Sequence, residues 1–321
     1  MMLIKFIKNV IFLCLMSILL TFSSCSKETK GIYAVYKNKD GYNQMMSLYK
    51  DYMAKWTIPY KELNVKTSWG TTHVIKAGQK NKKPLIVLHG GGTNQSLMFA
   101  YIDRMTKNHL VYAIDIIGEP GKSIPLKLFK EPKDLAQWLN EVLIDLKIEK
   151  ADFYGVSFGA FTSQWFLNYY PHKVDKMVNI SYTYMDQSFN FSSILKIVYY
   201  SIRGDRENIQ KMIILMNNGP IKNKAYDELF TDFMIKKIKH TNVNTINVYN
   251  SVPPSSVKKI KNKVLIIMGE KDCLFNAQKA KMFLKKVNNP NITYIILKNQ
   301  GHIPSDNSEK IDAMTSRFFR E

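Results

Sequence analysis

A chain of 321 residues with 45% hydrophobic content is long enough for one large domain or two small ones around a real core, which excludes the disordered and fibrous classes. Forty-six lysines and arginines against 26 acidic residues leave a formal charge of +20. The lysines fall in scattered runs (KNKD, KNKK, KKIK) with no basic stripe and no base-stacking groups, so no nucleic-acid partner is expected, whereas attraction to anionic lipid headgroups is.

At the N-terminus, Lys5 and Lys8 precede the apolar run VIFLCLMSILLTF, Val10 to Phe22, and then Ser23, Ser24 and Cys25. A run this short flanked by basic residues has the pattern of a signal peptide over 1–24, not of a spanning helix. The small residues before Cys25 resemble a bacterial lipoprotein signal, with Phe22 where leucine is usual. That resemblance implies a lipidated Cys25 as the first mature residue, export, and attachment to the cell membrane or envelope, with free secretion as the simpler alternative. Residues 25–41 then read as an anchored tether, beginning with the polar stretch SKETKG. Cys14 would leave with the signal and Cys25 would carry lipid. Only Cys273 remains for the body, so no intrachain disulfide framework is expected.

The folded body is expected over 42–321. GYNQMMSLYKDYMAKW has apolar residues at helical intervals, and ELNVKT with THVIKAG reads as two strands around the turn SWGT. Apolar runs then alternate with helical stretches: PLIVLHG, LVYAIDIIG, the helix DLAQWLNEVLIDLKI, ADFYGV, the helix FGAFTSQWFLNYY stopping at Pro171, KMVNISY, KVLIIMG and NITYIIL. This alternation predicts an α/β fold with a mostly parallel sheet covered by helices on both faces. From about 185 to 255 the alternation stops and several helices follow one another, which predicts a helical cap inserted at one edge of the sheet.

Ser157 lies in Gly155-Val156-Ser157-Phe158-Gly159, between a strand and a helix. A serine on so tight a turn is presented at the carboxyl edge of the sheet, and flanking glycines permit the close approach the turn requires. A hydroxyl is a poor nucleophile without a base. Of the six histidines, His302 in NQGHIPSD follows the last strand, where a loop can carry it back over the serine. His89 ends a strand and reads as a brace for the glycine loop. His73 lies in an early strand, His109 and His240 have polar, surface-like settings, and His172 follows a helix stop. Asp272 in MGEKDCLF, at the end of a strand, is the expected partner of His302, with Glu270 as competitor; Asp115 reads as a turn carboxylate. Gly90, Gly91 and Gly92 after His89 offer backbone N–H groups to an oxyanion, Gly91 first and Gly92 close behind, with a second donor from Phe158. The same loop lacks the Lys-Ser/Thr pair of a phosphate loop and the spacing of a dinucleotide fingerprint. Metal-ligand spacings are absent, so neither metal nor organic cofactor is expected.

The order Ser157, Asp272, His302, the strand-bound serine turn and the upstream HGGG resemble the α/β-hydrolase superfamily. WTIPYKELNVKTSWGTTHVIKAG, VYAIDIIGEPGKS and GHIPSD extend the resemblance over roughly 42–320, toward a bacterial carboxylesterase-like subgroup. The resemblance implies the α/β-hydrolase fold and a serine hydrolase acting on a small-molecule ester, with Asp115 to Ser123 as a structural loop beside the site. Serine at 157 argues against dehalogenases and epoxide hydrolases, which carry aspartate there. The alternatives are an aminopeptidase or amidase, for which Asp186, Glu228 and Asp232 in the cap could hold an amine, and a binding lipoprotein without catalysis. Ile194, Ile197, Tyr199, Tyr200, Met212, Ile213 and Leu215 either line an acyl pocket or pack the cap.

Overall fold

A short 3-10 turn over Gly31–Ala34, an N-capped helix and a hairpin precede a parallel sheet. The computed structural model describes residues 30–182, 190–242, 252–304 and 307–321; the signal segment, Cys25 and Asp186 lie outside the described residues. Helix α1 (Lys39–Met53) is opened by Asn38, whose side chain accepts from the Gly41 N–H, and it buries Met45, Leu48, Tyr49, Tyr52 and Met53. Strands β1 (Tyr60–Thr67) and β2 (Gly70–Ala77) pair antiparallel, as the two apolar runs around SWGT predict. Strand β3 (Lys83–Leu88), helix α2 (Phe99–Thr106), β4 (His109–Ile114), the two-residue β5 (Ile124–Pro125) and helix α3 (Pro132–Asp145) follow. Proline at the first position of α3 and a reciprocal capping box between Glu131 and Asp134 fix where that helix starts. The order continues with β6 (Ala151–Val156), α4 (Phe158–Tyr169), β7 (Val174–Ile180), α5 (Phe191–Arg203), α6 (Arg206–Asn217), α7 (Lys224–His240), α8 (Pro254–Lys258), β8 (Lys263–Gly269), α9 (Ala277–Val287), β9 (Ile292–Leu297) and α10 (Ser308–Arg320).

The strands form one sheet in the order β1-β2-β4-β3-β6-β7-β8-β9, with β5 beside β2. From β4 to β9 every pairing is parallel; β1 and β2 run antiparallel at one edge. Every residue of β4 is buried, as a central strand covered on both faces requires, whereas the edge strand β1 buries only Val65. One core cluster holds Trp138, Leu139, Phe153 and Phe166. A second holds Ile75, Val87, Tyr154 and Ile267. Trp138 is fully buried and donates its Nε1–H to Thr72 Oγ1 at 2.8 Å, so truncating it to alanine should cost about 3–5 kcal/mol.

The helical insertion predicted near 185–255 is α5, α6 and α7, between β7 and β8. These helices bury a separate cluster against α1 and the segment before it: Tyr36, Met45 and Tyr52 meet Ile209, Met212, Ile213 and Phe233. Met212 and Ile213 are therefore packing residues, Ile197 and Tyr200 pack partly against them, and Tyr199 points to solvent at 58% exposure. The segment before α1 is tied to the end of α7, with Lys37 N–H donating to His240 O at 3.0 Å and Asn242 N–H to Val35 O at 2.8 Å. Among the described residues no helix is long and apolar enough to cross a membrane.

The chain reverses direction across the sheet at β3: β4 lies on one side and β6 on the other. Loops leaving neighbouring strands on either side of such a reversal open a crevice at the carboxyl ends. Leu88 is opposite Gly155, and Gly155 opposite Asn179, so the glycine loop after β3 and the serine turn after β6 leave the sheet side by side.

Candidate active site

Ser157 stands alone between β6 and α4 with φ 51° and ψ −110°, a left-handed conformation that a side-chain-bearing residue occupies only at a cost of about 1–3 kcal/mol. Its N–H donates to Ile180 O at 2.8 Å and its carbonyl accepts the Phe161 N–H at 2.9 Å, so the strain is held by β7 on one side and the first helical turn on the other. Both glycines are needed for space. A Cβ on Gly155 would lie 2.6 Å from the Ala160 backbone, and one on Gly159 would overlap the carbonyls of Leu88 and His89. The turn thus presses α4 against both β6 and β3, with Phe158 as the first residue of the helix, where backbone N–H groups face outward.

The loop after β9 brings His302 over the serine. His302 Nε2 lies 3.0 Å from Ser157 Oγ, and Nδ1 lies 2.9 Å from Asp272 Oδ2. Asp272 Oδ1 accepts the N–H groups of Leu274 and Phe275 at 2.8 and 3.0 Å, which fixes the carboxylate and leaves Oδ2 for the imidazole. With a proton on Nδ1 donated to Asp272, Nε2 is free to accept the serine hydroxyl. Glu270, the competing carboxylate, instead accepts the Asn299 N–H at 3.1 Å. The main chain of His302 is fixed as well: its N–H donates to Met216 O of α6 at 2.6 Å, and its carbonyl accepts the Ser181 hydroxyl at 2.7 Å. Gly301 has no room for a side chain because Asn217 presses against it.

His89 braces the glycine loop. Its Nε2 accepts the Ile116 N–H at 3.0 Å, which places the proton on Nδ1, donated to Gly90 O at 2.8 Å. Burial keeps this imidazole below the ordinary histidine range and hence neutral. Thr93 closes the loop by donating both its hydroxyl and its N–H to Gly90 O. A Cβ on Gly90 would lie 3.8 Å from Ser157 Cβ, so this loop forms the wall facing Ser157. Gly92, with φ 69°, turns its N–H away to donate to the Glu119 carboxylate. Of the two glycines considered for the oxyanion, Gly92 is therefore engaged elsewhere.

The other histidines have different surroundings. His73 sits between Asp115 Oδ2 at 3.0 Å and Glu62 Oε2 at 2.7 Å. Asp115 also accepts the N–H groups of Gln95 and Lys122, as its reading as a turn carboxylate predicts. His109 departs from its expected surface setting. It is buried, with Nε2 3.2 Å from Asp152 Oδ2, because β4 runs through the middle of the sheet. The cap carboxylates Glu228 and Asp232 do not converge on the serine turn; both bind Arg206 on the exposed side of the cap, at 3.0 and 2.6 Å. Burial, with the adjacent Asp272 charge, pushes the Cys273 thiol up to about 12. Among the described residues no cluster of histidine, cysteine, aspartate and glutamate could hold a metal.

A family model described as the alpha/beta hydrolase fold matches residues 83–210, the stretch that carries the glycine loop and the serine turn. The crystal structure of the carboxylesterase CesB (YbfK) from Bacillus subtilis superposes with a TM-score of 0.78 at 23% identity, covering 87% of this chain and 98% of that one. The chain has the α/β-hydrolase fold. In sequence, the chain is 24% identical over 280 residues to the uncharacterized carboxylesterase nap of Bacillus subtilis (strain 168), across 84% of its own length and 90% of the relative's. It is 34% identical over 140 residues to the carboxylesterase YbfK of the same organism, across 44% of its own length and 45% of the relative's.

Two residues beside this site are not apparent from the sequence. Glu119 is buried in the loop after β4, and burial raises its carboxyl to about 7 against the lowering effects of the Gly92 N–H and of Lys237. Lys237, on α7 of the cap, reaches the same loop: a Cβ on Gly92 would lie 3.1 Å from its Nζ and 3.3 Å from its Cε. The sequence offered one usable signal, an acidic residue between two glycines in IIGEPGK. Lys237 was lost in the run KKIK, which reads as a solvated face.

Proposed function

We propose that the protein is a carboxylesterase-type serine hydrolase in which Ser157 is the nucleophile, His302 the general base and acid, and Asp272 the group that orients and charges the imidazole. The observation that carries this reading is the unbroken line from Ser157 Oγ through both ring nitrogens of His302 to Asp272, with spacings of 3.0 and 2.9 Å. The carboxylesterase relatives support the choice of esters over other acyl derivatives.

In the first step His302 Nε2 takes the serine proton as Oγ attacks the carbonyl carbon, and Asp272 stabilises the imidazolium. The negative oxygen of the tetrahedral intermediate is received by the N–H of Phe158, at the start of α4, and by that of Gly91. Oxyanion donors of this kind are each worth about 10²–10³ in rate. His302 then protonates the departing alkoxide, leaving an acyl-serine. Water, deprotonated by the same nitrogen, attacks the acyl carbon, and serine leaves with its proton restored.

Labelling with a fluorophosphonate tests the nucleophile. The adduct is expected on the Ser157 peptide of the wild type and absent from Ser157→Ala, while labelling of another residue or of the folded variant would overturn the assignment. Hydrolysis of 4-nitrophenyl acetate by the same preparations tests the reaction class.

The proposal extends to location. The basic residues Lys5 and Lys8, the apolar run to Phe22 and Cys25 support export and lipid attachment at Cys25. Expressed in a bacterial host, the wild type is expected in the membrane fraction and Cys25→Ser in the soluble exported fraction; identical partitioning of the two would remove the anchor from the proposal.

A further inference from the structure

Lys237 is a cation in an unusual place. It belongs to the cap helix α7, yet its ammonium rests on Gly92, two residues along the loop from the Gly90 wall that faces Ser157. The side chain is half-buried, and among the described residues its Nζ has no hydrogen-bond acceptor and no carboxylate within 4 Å. The neighbouring carboxyl, Glu119, acts on it only at longer range, its Oε2 being engaged by the Gly92 N–H. Glycine at 92 is what admits the lysine so close to the main chain. A partly desolvated ammonium with no partner is costly unless something arrives to pair with it. Burial accordingly pulls Lys237 below the ordinary lysine range, against the upward pull of Glu119.

We infer that Lys237 is a specificity residue that pairs with an anionic group of the substrate, so that the preferred ester carries a second, ionised carboxylate near the scissile bond. The inference rests on the ester-hydrolase reading above and adds the substrate class. A bound carboxylate supplies the acceptor that Lys237 lacks, at the rim of the loop that faces the nucleophile. The rival arrangement, an amine-bearing substrate held by cap carboxylates, is disfavoured by the same geometry: Glu228 and Asp232 are spent on Arg206, and the cap side chain that reaches the glycine loop is a lysine.

The test compares matched esters on the wild-type protein and its variants. On the acyl side, mono-4-nitrophenyl glutarate is paired with 4-nitrophenyl pentanoate; on the alcohol side, 4-acetoxybenzoate is paired with phenyl acetate. The expected result is a kcat/KM ratio of anionic over neutral ester above one in at least one pair. That ratio falls about 10- to 100-fold in Lys237→Met, the range for losing a hydrogen bond to a charged group, and returns in Lys237→Arg. Lys285→Met, which removes an equal charge from the exposed face of α9, is expected to keep the wild-type ratio. Ratios at or below one in both wild-type pairs would overturn the inference even if Lys237→Met failed to fold. So would a ratio unchanged by Lys237→Met, or one lowered equally by Lys285→Met. Each of these outcomes leaves ester turnover, and hence the ester-hydrolase reading, standing. No turnover of any of the four esters by a protein labelled at Ser157 would overturn the ester reading and this inference with it.

Discussion

Two histidines in this molecule meet an aspartate through Nδ1 at almost the same distance, 2.9 Å for His302 with Asp272 and 3.0 Å for His73 with Asp115. What differs is the other nitrogen. Nε2 of His302 faces a serine hydroxyl at 3.0 Å, whereas Nε2 of His73 meets a second carboxylate, Glu62, at 2.7 Å. A ring with one anion and one neutral hydroxyl can take up the hydroxyl proton and give it back, the anion stabilising the charged ring meanwhile. A ring clamped by two anions is held as the cation: the hydrogen bonds and charges of Asp115 and Glu62 raise His73 above its usual range despite desolvation, and Asp115 and Glu62 are each held at about 2. An Asp–His pair is therefore no catalytic signature in itself. The group at the far nitrogen decides whether it does chemistry or holds the fold.

Substitutions can sharpen this contrast. The largest effect is expected for Ser157→Ala, which removes the hydroxyl that distinguishes the first pair: ester turnover should fall on the order of 10⁶-fold with the thermal midpoint preserved or raised, measured by initial rates beside a melting curve. Next comes Asp272→Asn, which leaves His302 flanked by neutral groups and offers its ring the wrong proton; a fall in kcat of about 10⁴-fold is expected. If Asp272→Asn retained wild-type kcat, the group at the far nitrogen would not be what separates the two pairs.

His73→Gln should do the reverse, leaving rate constants per folded molecule intact while costing about 3–5 kcal/mol of stability, because Asp115 stays buried without its cationic partner. The sign follows from the shifts. A raised histidine contributes stability that is complete below 6.5 and is lost as pH rises through its folded value; a depressed aspartate contributes stability present above 3.8 and lost as pH falls toward about 2. The stability gap between wild type and His73→Gln should thus be widest between about pH 4 and 6.5, read by denaturant titration across pH. A gap that widened above pH 8 would contradict the cationic clamp.

The sequence was most informative where periodicity and position coincide. Continuous apolar runs located the strands, their ends located Ser157, Asp272 and His302, and the glycines of HGGG marked a loop that had to come close to something. It was silent where partners come from distant segments. Nothing local separates His73 from His302, since each needs a carboxylate 30 or more residues away to define it. His109 looked exposed in KNHLVY because polar neighbours precede it, although β4 carries it into the sheet. Gly92 stood close behind Gly91 in the sequence, and only the structure shows that Glu119, on the next strand's loop, claims its amide. Lys237 could not be told from other lysines of α7, because only the cap's docking angle brings it to the glycine loop.

The join between the cap and the loop carrying His302 has a consequence for redesign. Met216 O receives the His302 N–H, and Gly301 is pressed against Asn217, while the far end of the same insertion is stitched to the segment around Lys37 and Val35. The insertion is thus a bridge with two abutments, not a flap on a single hinge. Anyone grafting a different cap to change substrate range would have to keep both landing points, since a swap that shifted the first would displace the imidazole even with every residue of the sheet untouched.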